Sequence, residues 1–276
     1  MKKILSVKNI SKRYGSGCKH CLVSTGPNQE TNICPYCHAI VAIQNIGFEL
    51  YQGEILGIMG ESGSGKSTVV KTLYFDESID EGEARYFDGE REHEIFNLNA
   101  AQQRALRQKC FGMVYQNPVQ GLNFNISAGG NIAERLLMSN VHHYGEIRQR
   151  AKTLLKRTEV LSERMDESPK HFSGGMQQRV QIAKALATKP RLLFLDEVTT
   201  GLDLSVQAAI LDLIKEIQRE SQTTMIVVTH DLGVIRLLSD RAIVMKYGHI
   251  IESGLTDQIL EDPQHAYTQK LVASAL

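Results

Sequence analysis

The chain has 276 residues, with 31 Lys and Arg against 31 Asp and Glu, and 42% of its side chains are apolar. That length suits one large α/β domain or two small ones, and the composition is enough for a sizeable core. Zero net charge excludes the basic footprint of a dedicated nucleic-acid binder, so no nucleic-acid partner is expected, and no run of apolar residues is long enough to offer a membrane span.

Residues 1–8 are basic but lack the apolar run of a signal peptide, so a cytoplasmic location with reduced cysteines is expected. Residues 5–10 read as a first strand, and a polar segment rich in Gly and Cys follows over 15–39. Residues 46–50 alternate with period two, as a half-buried strand does. Residues 54–59 form a short apolar strand running into a glycine-rich loop, with a helix expected from Lys66. Residues 83–88 and 111–115 read as further strands, with Cys110 as a small buried hydrophobe ahead of the second. From 117 to 188 helical spacing replaces strands, with Ile132, Leu136 and Leu137 on one face and Met176, Val180, Ala183 and Leu186 on another. This block is expected to be a helical subdomain inserted into the α/β core. Residues 191–195 then form a buried strand, 205–220 an amphipathic helix, 225–228 another buried strand, 241–252 two short strands around Gly248, and 256–275 a helical tail. Strands alternating with helices argue for a mainly parallel sheet.

The loop Gly60-Glu61-Ser62-Gly63-Ser64-Gly65-Lys66-Ser67 fits the pattern G-x-x-x-x-G-K-[ST], and Thr68 follows it. Its glycines let backbone N–H groups curl around phosphate oxygens, and the next helix turns its N-terminus toward the same anion. Lys66 supplies a compact positive charge for the β- and γ-phosphates, and Ser67 offers a hydroxyl to Mg²⁺. A chance match is the competing reading. The strand before the loop and the helix after it argue against that. The apolar strand Leu192-Leu193-Phe194-Leu195 ends in Asp196 and Glu197. Asp196 would hold Mg²⁺ through water and Glu197 would polarise the attacking water. A strand ending in solvated acids is the plainer alternative, and the phosphate loop disfavours it.

Between these motifs lies Phe172-Ser173-Gly174-Gly175-Met176-Gln177-Gln178-Arg179, which resembles the signature motif of ATP-binding cassette (ABC) ATPases, with Phe where Leu is common. Gln116 looks like that family's Q-loop glutamine, Thr200-Gly201-Leu202-Asp203 like its D-loop and His230 like its switch histidine. Tyr14 sits where its adenine-stacking aromatic lies. The resemblance covers residues 1–276 apart from the cysteine segment. It implies an α/β fold with a P-loop NTPase core of ABC type and an inserted helical subdomain, and a small Cys-rich, zinc-ribbon-like insertion is expected outside that family plan. It also implies ATP and Mg²⁺ as cofactors, with Ser67, Gln116 and Asp196 at the ion and Glu197, His230 and Gln116 in catalysis. In the family, Ser173, Gly174, Gly175 and Gln177 would close on the γ-phosphate held by a second copy of the chain, and Asp203 of the D-loop is counted with the nucleotide-binding residues. Ser173 can also cap its helix, and both roles are compatible. Val198 stands where the family usually has Pro after the catalytic Glu. Without the ring that fixes φ, the departure bears on hydrolysis rate more than on nucleotide binding.

Cys18-Lys19-His20-Cys21 and Cys34-Pro35-Tyr36-Cys37 are separated by twelve residues. Two C-x-x-C turns at this distance make a tetrahedral S₄ pattern, and the segment has little else from which to build a core. Zinc is the expected metal. Iron in a rubredoxin-like site, a redox pair at Cys34 and Cys37, and a pair of disulfides are the alternatives. His20 and His38 read as solvated loop residues.

Residues 127–136 (Ser-Ala-Gly-Gly-Asn-Ile-Ala-Glu-Arg-Leu), 143–148, 229–234 and 252–257 resemble one subgroup of the family, the cassette ATPases of the bacterial phosphonate carbon–phosphorus lyase system. In that system the ATPase docks on a soluble lyase core rather than on a membrane permease. The alternative is the ATPase subunit of an oligopeptide or nickel importer with membrane permease partners. The tail His265-Ala266-Tyr267-Thr268 fits both groups and does not discriminate.

Overall fold

The computed structural model describes residues 2–89 and 91–274. In chain order the elements are β1 (Lys3–Tyr14), β2 (Ile40–Tyr51), β3 (Ile55–Met59), α1 (Lys66–Leu73), β4 (Glu81–Phe87), β5 (Glu92–Glu94), α2 (Ala100–Lys109) and β6 (Phe111–Val114). The helices α3 (Pro118–Gly121), α4 (Ala128–Met138), α5 (Tyr144–Arg157) and α6 (Gly174–Leu186) follow. The chain then alternates through β7 (Leu192–Asp196), α7 (Leu204–Ser221), β8 (Thr224–Val228), α8 (Leu232–Leu238), β9 (Arg241–Lys246) and β10 (His249–Leu255), and ends in α9 (Thr256–Glu261) and α10 (Ala266–Ala273). The fold is α/β with mixed sheets, and it divides into two compact units, Met1–Gln103 with Ile226–Leu276 and Arg104–Met225.

In the first unit β1 pairs antiparallel with β2 and β4, and β4 with β5. Every residue of β3 is buried, and it runs parallel to β9 with Leu56 opposite Arg241 and Met59 opposite Val244. A strand covered on both faces carries no polar alternation, which is why residues 55–59 are a continuous apolar run. β10 folds back antiparallel on β9. β1 and β2 both extend beyond their alternating stretches, because Arg13 pairs with Val41 and Tyr14 with Ile40. Those pairs close the neck of the cysteine segment, which leaves the sheet as a loop and returns at the adjacent strand. Met59, Ile235, Val244, Ile259, Leu260 and Tyr267 form a further core cluster. The expected helical tail is two helices, α9 and α10, with Pro263 in the gap. Proline has no N–H for helix propagation. Ala275 lies outside the described residues.

In the second unit β6 runs parallel to β7, with Phe111 opposite Leu192, and the Phe111 and Phe194 rings meet edge to face at 5.7 Å. Helices α4, α5 and α6 close on a core of Ile132, Leu136, Ile147, Leu155, Val180 and Ala183. Two expectations fail here. Leu137 is exposed; one residue past Leu136 it is rotated by about 100° and leaves the buried face. Cys110 is only partly buried. Its carbonyl accepts the N–H groups of Arg191 and Leu192, which holds it at the entry to β7 instead of inside the core.

Candidate nucleotide site and cysteine cluster

The phosphate loop leaves β3 at Met59 and enters α1 at Lys66. Gly60 has φ 147° and Gly65 φ 102°, and a Cβ on either would lie 2.2 Å from a carbonyl, that of Met245 or Ala42 respectively. Only glycine permits both that backbone and that approach. Lys66 is buried, and its Nζ donates to the carbonyls of Gly60 and Glu61 at 2.8 Å each. Contacts from outside the loop brace it. Asn32 Nδ2 donates to the Gly63 carbonyl at 3.2 Å, the Gly248 N–H to the Ser64 carbonyl at 3.0 Å, and the Glu61 N–H to Tyr267 Oη at 3.1 Å. Ser64 Oγ is buried with no partner, and a Cβ on Gly63 would meet nothing within 4 Å. An unpaired buried hydroxyl beside open glycine backbone fits an incoming phosphate, as does the Lys66 ammonium. Ser62 is exposed, while Ser67 and Thr68 are partly buried in the first turn of α1.

Tyr14 ends β1. Its hydroxyl donates to Glu77, Lys12 Nζ lies 5.8 Å from its ring centroid, and the Thr68 hydroxyl is also a partner. Burial first, and the Glu77 carboxylate second, push the phenol up to about 12. His230 is exposed between the end of β8 and α8. Its neighbours are tied on both sides: the Thr229 N–H bonds to the Ile58 carbonyl, and Asp231 caps α8 by accepting the Gly233 N–H at 2.8 Å.

The second unit gathers another set. Asp196 is buried at the end of β7, and Glu197 follows with φ 47°. Such a left-handed backbone costs a non-glycine residue about 1–3 kcal/mol and is held only where the surroundings over-determine it. Gln116 Nε2 donates to Glu197 Oε2 at 2.9 Å, and the Thr200 hydroxyl to the same oxygen at 3.3 Å. Val198 is buried, so packing holds the turn where a proline ring would have fixed it. Ser173 caps α6, its Oγ accepting the Met176 N–H at 3.4 Å, and a Cβ on Gly174 would meet nothing within 4 Å. Gly175 instead meets α7: a Cβ there would lie 2.8 Å from Val206 Cγ1. Gln177 turns inward, donating to the carbonyls of Pro169 and Phe172 at 3.0 and 3.1 Å. Asp203 is exposed at the start of α7.

Sequence reading missed several supports of these groups. Gln178 and Gln181 are buried on α6 and grip Tyr115, which precedes Gln116: the Tyr115 N–H donates to Gln181 Oε1 at 2.6 Å, and both side-chain amides reach the Tyr115 carbonyl. Two amides three residues apart in an apolar helix were the available signal. Buried Asn131 staples the preceding loop in the same way, accepting the Asn123 N–H and donating to the carbonyls of Asn123 and Ser127. The bonds of Asn32 and Tyr267 to the phosphate loop had no sequence signal.

The cysteine segment brings Cys18, Cys21, Cys34 and Cys37 together with all four sulfurs within 4.8 Å of one another. The Sγ–Sγ distances are 3.7 Å for Cys18–Cys34, 3.8 Å for Cys18–Cys21 and 3.4 Å for Cys21–Cys37. A tetrahedron with metal–sulfur bonds of about 2.3 Å has edges of roughly 3.8 Å. A disulfide needs about 2 Å, and none of the four is disulfide-bonded. The Ala39 N–H, ahead of the neighbouring thiols, draws the Cys37 thiol down to about 7. At Cys21 the Cys18 N–H pulls the same way, but burial and the surrounding thiols prevail and push it up to about 11. Beyond the cysteines, Ala39 and Val41 are the buried apolar residues of the cluster and buried Thr25 donates its hydroxyl to the Cys21 carbonyl at 2.8 Å, while Leu22, Val23, Ile33 and Tyr36 are exposed. His20 and His38 are exposed, and the His20 ring packs on Tyr36 at 4.7 Å.

The loop geometry defines a P-loop nucleotide-binding protein. Residues 43–200 match the family model described as ABC transporter, and the chain belongs to that family as an ATPase cassette. It is 48% identical to the phosphonates utilization ATP-binding protein PhnK of Escherichia coli (strain K12), over 84% of this chain and 90% of that protein. It is 38% identical to the oligopeptide transport ATP-binding protein OppD of Bacillus subtilis (strain 168), over 87% of this chain and 68% of that one. Among solved structures, the dimeric ADP- and phosphate-bound post-hydrolysis state of the ATP-binding cassette MJ0796 superposes with a TM-score of 0.78 at 29% identity, over 92% of this chain and 99% of that one. Among the described residues no helix is long and apolar enough to cross a membrane.

Proposed function

We propose that this chain is the cytoplasmic ATP-hydrolysing subunit of a phosphonate system, that two copies clasp ATP between them, and that the cycle drives conformational change in a soluble carbon–phosphorus lyase core. The observation that carries this reading is the near full-length similarity to PhnK. In this reading the backbone N–H groups of Gly60 to Ser67 cradle the phosphates and Lys66 neutralises them. Ser67, Gln116 and Asp196 are assigned to Mg²⁺, which supplies charge neutralisation at the β- and γ-phosphate oxygens. Tyr14 stacks on adenine. Glu197 accepts the proton of the attacking water, its carboxylate oriented by Gln116 and Thr200, and His230 senses the γ-phosphate. Ser173 and Gly174 of the second copy present the open N-terminus of α6 to that phosphate, a use supported by the empty space at Gly174. Asp203, exposed at the start of α7, is assigned to the nucleotide site with them.

Zinc is assigned to Cys18, Cys21, Cys34 and Cys37 as a structural ion, supported by the sulfur spacing and by the scarcity of other core-forming side chains in the segment. Elemental analysis of protein purified under reducing conditions should return one zinc per chain; iron in its place, or no metal, contradicts the assignment.

The importer reading keeps its own support in the similarity to OppD. Much of the 127–148 stretch is spent internally: Ser127 caps α4, Arg135 bonds to the carbonyls of Arg107 and Phe111, and Arg148 pairs with Asp166. Leu137, Met138 and Tyr144 are its exposed apolar side chains. Affinity purification of the tagged chain from its native cells tests the choice. Recovery of a soluble lyase core is expected; recovery of membrane permeases overturns it.

A further inference from the structure

We propose that metal occupancy of the four-cysteine cluster sets the affinity of the phosphate loop for MgATP, and that the Asn32 side chain transmits it. This rests on the cluster being a metal site. Cys34 and Cys37 sit in a loop closed by three main-chain bonds: Cys34 N–H to Ala39 O at 2.9 Å, His38 N–H to Cys34 O at 2.9 Å, and Val41 N–H to Asn32 O at 2.8 Å. Both ends of that loop touch the phosphate loop. Asn32 Nδ2 holds the Gly63 carbonyl at 3.2 Å, and the carbonyl of Ala42, one residue past Val41, is the group against which Gly65 packs. The other half of the segment bears on the same region. Gly26 packs on His249, and the preceding Gly248 donates its N–H to the Ser64 carbonyl at 3.0 Å. Gly63 is thus seated on the cysteine segment, Ser64 on the turn the segment packs against, and Gly65 on β2 just after the segment rejoins the sheet.

Gly63 is where such seating matters most. It has φ 80°, and no neighbouring group packs against its Cα, since a Cβ there would meet nothing within 4 Å. The Gly63 carbonyl and the Ser64 N–H belong to one planar peptide. That N–H donates to the Glu61 carbonyl at 3.2 Å, so Asn32 and Glu61 hold the two ends of one peptide and together set the course of the loop's backbone around the phosphates. A metal tying Cys18 and Cys21 to Cys34 and Cys37 holds Asn32 in place. Without it, the loop's three main-chain bonds are left with few buried apolar side chains behind them, and Asn32 is held less firmly against Gly63.

The test is a cycle of calorimetric MgATP titrations on full-length protein, wild type and Asn32→Ala, each metal-loaded and metal-stripped, with metal content measured alongside. Metal-loaded Asn32→Ala is expected to bind MgATP about three- to tenfold more weakly than wild type, the loss of one hydrogen bond. Stripping the wild type should cost a similar factor, and stripping Asn32→Ala should add little. Unchanged affinity in metal-loaded Asn32→Ala overturns the proposal whatever the stripped proteins do. So does an equal further loss on stripping both proteins, because the two effects would then be independent. Absence of metal in the wild type as purified refutes the metal reading itself, and the metal measurement shows this before any nucleotide is added.

Discussion

Glu197→Gln is expected to lower steady-state ATP turnover by about 10²- to 10⁴-fold while leaving MgATP affinity within a few-fold of wild type. The substitution is nearly isosteric. The Thr200 hydroxyl, 3.3 Å from Oε2, can still donate to the amide oxygen, and the buried Val198 behind it is untouched. What disappears is the ability to accept a proton. Glu197 is well chosen for that role because its left-handed φ of 47° and the Gln116 amide at 2.9 Å fix where the carboxylate points. A coupled-enzyme assay with MgATP reads the rate directly. Retention of more than a tenth of wild-type turnover would remove Glu197 as the base and leave the acid pair at the end of β7 as a metal-binding feature only.

Lys66→Ala should weaken MgATP binding by roughly ten- to 150-fold, the loss of charge-assisted hydrogen bonds worth about 1.5–3 kcal/mol. The side chain is buried against the loop it serves, and its ammonium holds the Gly60 and Glu61 carbonyls at 2.8 Å. Truncation removes the loop's positive charge and also orphans two acceptors that shape it. Lys66→Arg should rescue little, because a planar guanidinium does not fit where a compact point charge bridges two carbonyls. Equilibrium titration with a fluorescent ATP analogue measures both variants. Binding within twofold of wild type in Lys66→Ala would show that the loop does not engage phosphate through this side chain.

What could be read from sequence, and what could not, follows the range of the interactions. The strand 55–59, the loop after it and α1 were legible because an unbroken apolar run, a fixed glycine spacing and a helix start lie within twenty residues. The cysteine cluster was legible because two short turns each deliver two sulfurs. α2 was not: none of its residues is buried, so no apolar period marks it. β5 is a three-residue edge strand, Glu-His-Glu, whose pairing with β4 rests on main-chain bonds and ion pairs such as Arg85 with Glu92. The braces of the phosphate loop were invisible for another reason. Asn32 reaches Gly63 across 31 residues and Tyr267 reaches Glu61 across 206, and neither position carries a local pattern that names its partner. In sequence Tyr267 belongs to a tail shared by both subgroups, yet its hydroxyl accepts the Glu61 N–H and its ring lies 4.8 Å from Lys246 Nζ.

In the proposed function the phosphate loop is one face of a site completed by another copy of the chain. The open N-terminus of α6 at Ser173 and Gly174 is the surface assigned to the other face. Sedimentation of Glu197→Gln with saturating MgATP tests this most directly, because blocked hydrolysis traps whatever ATP assembles. A dimer with MgATP that reverts to monomer with MgADP is expected. A monomer that binds MgATP fully and never pairs would contradict it.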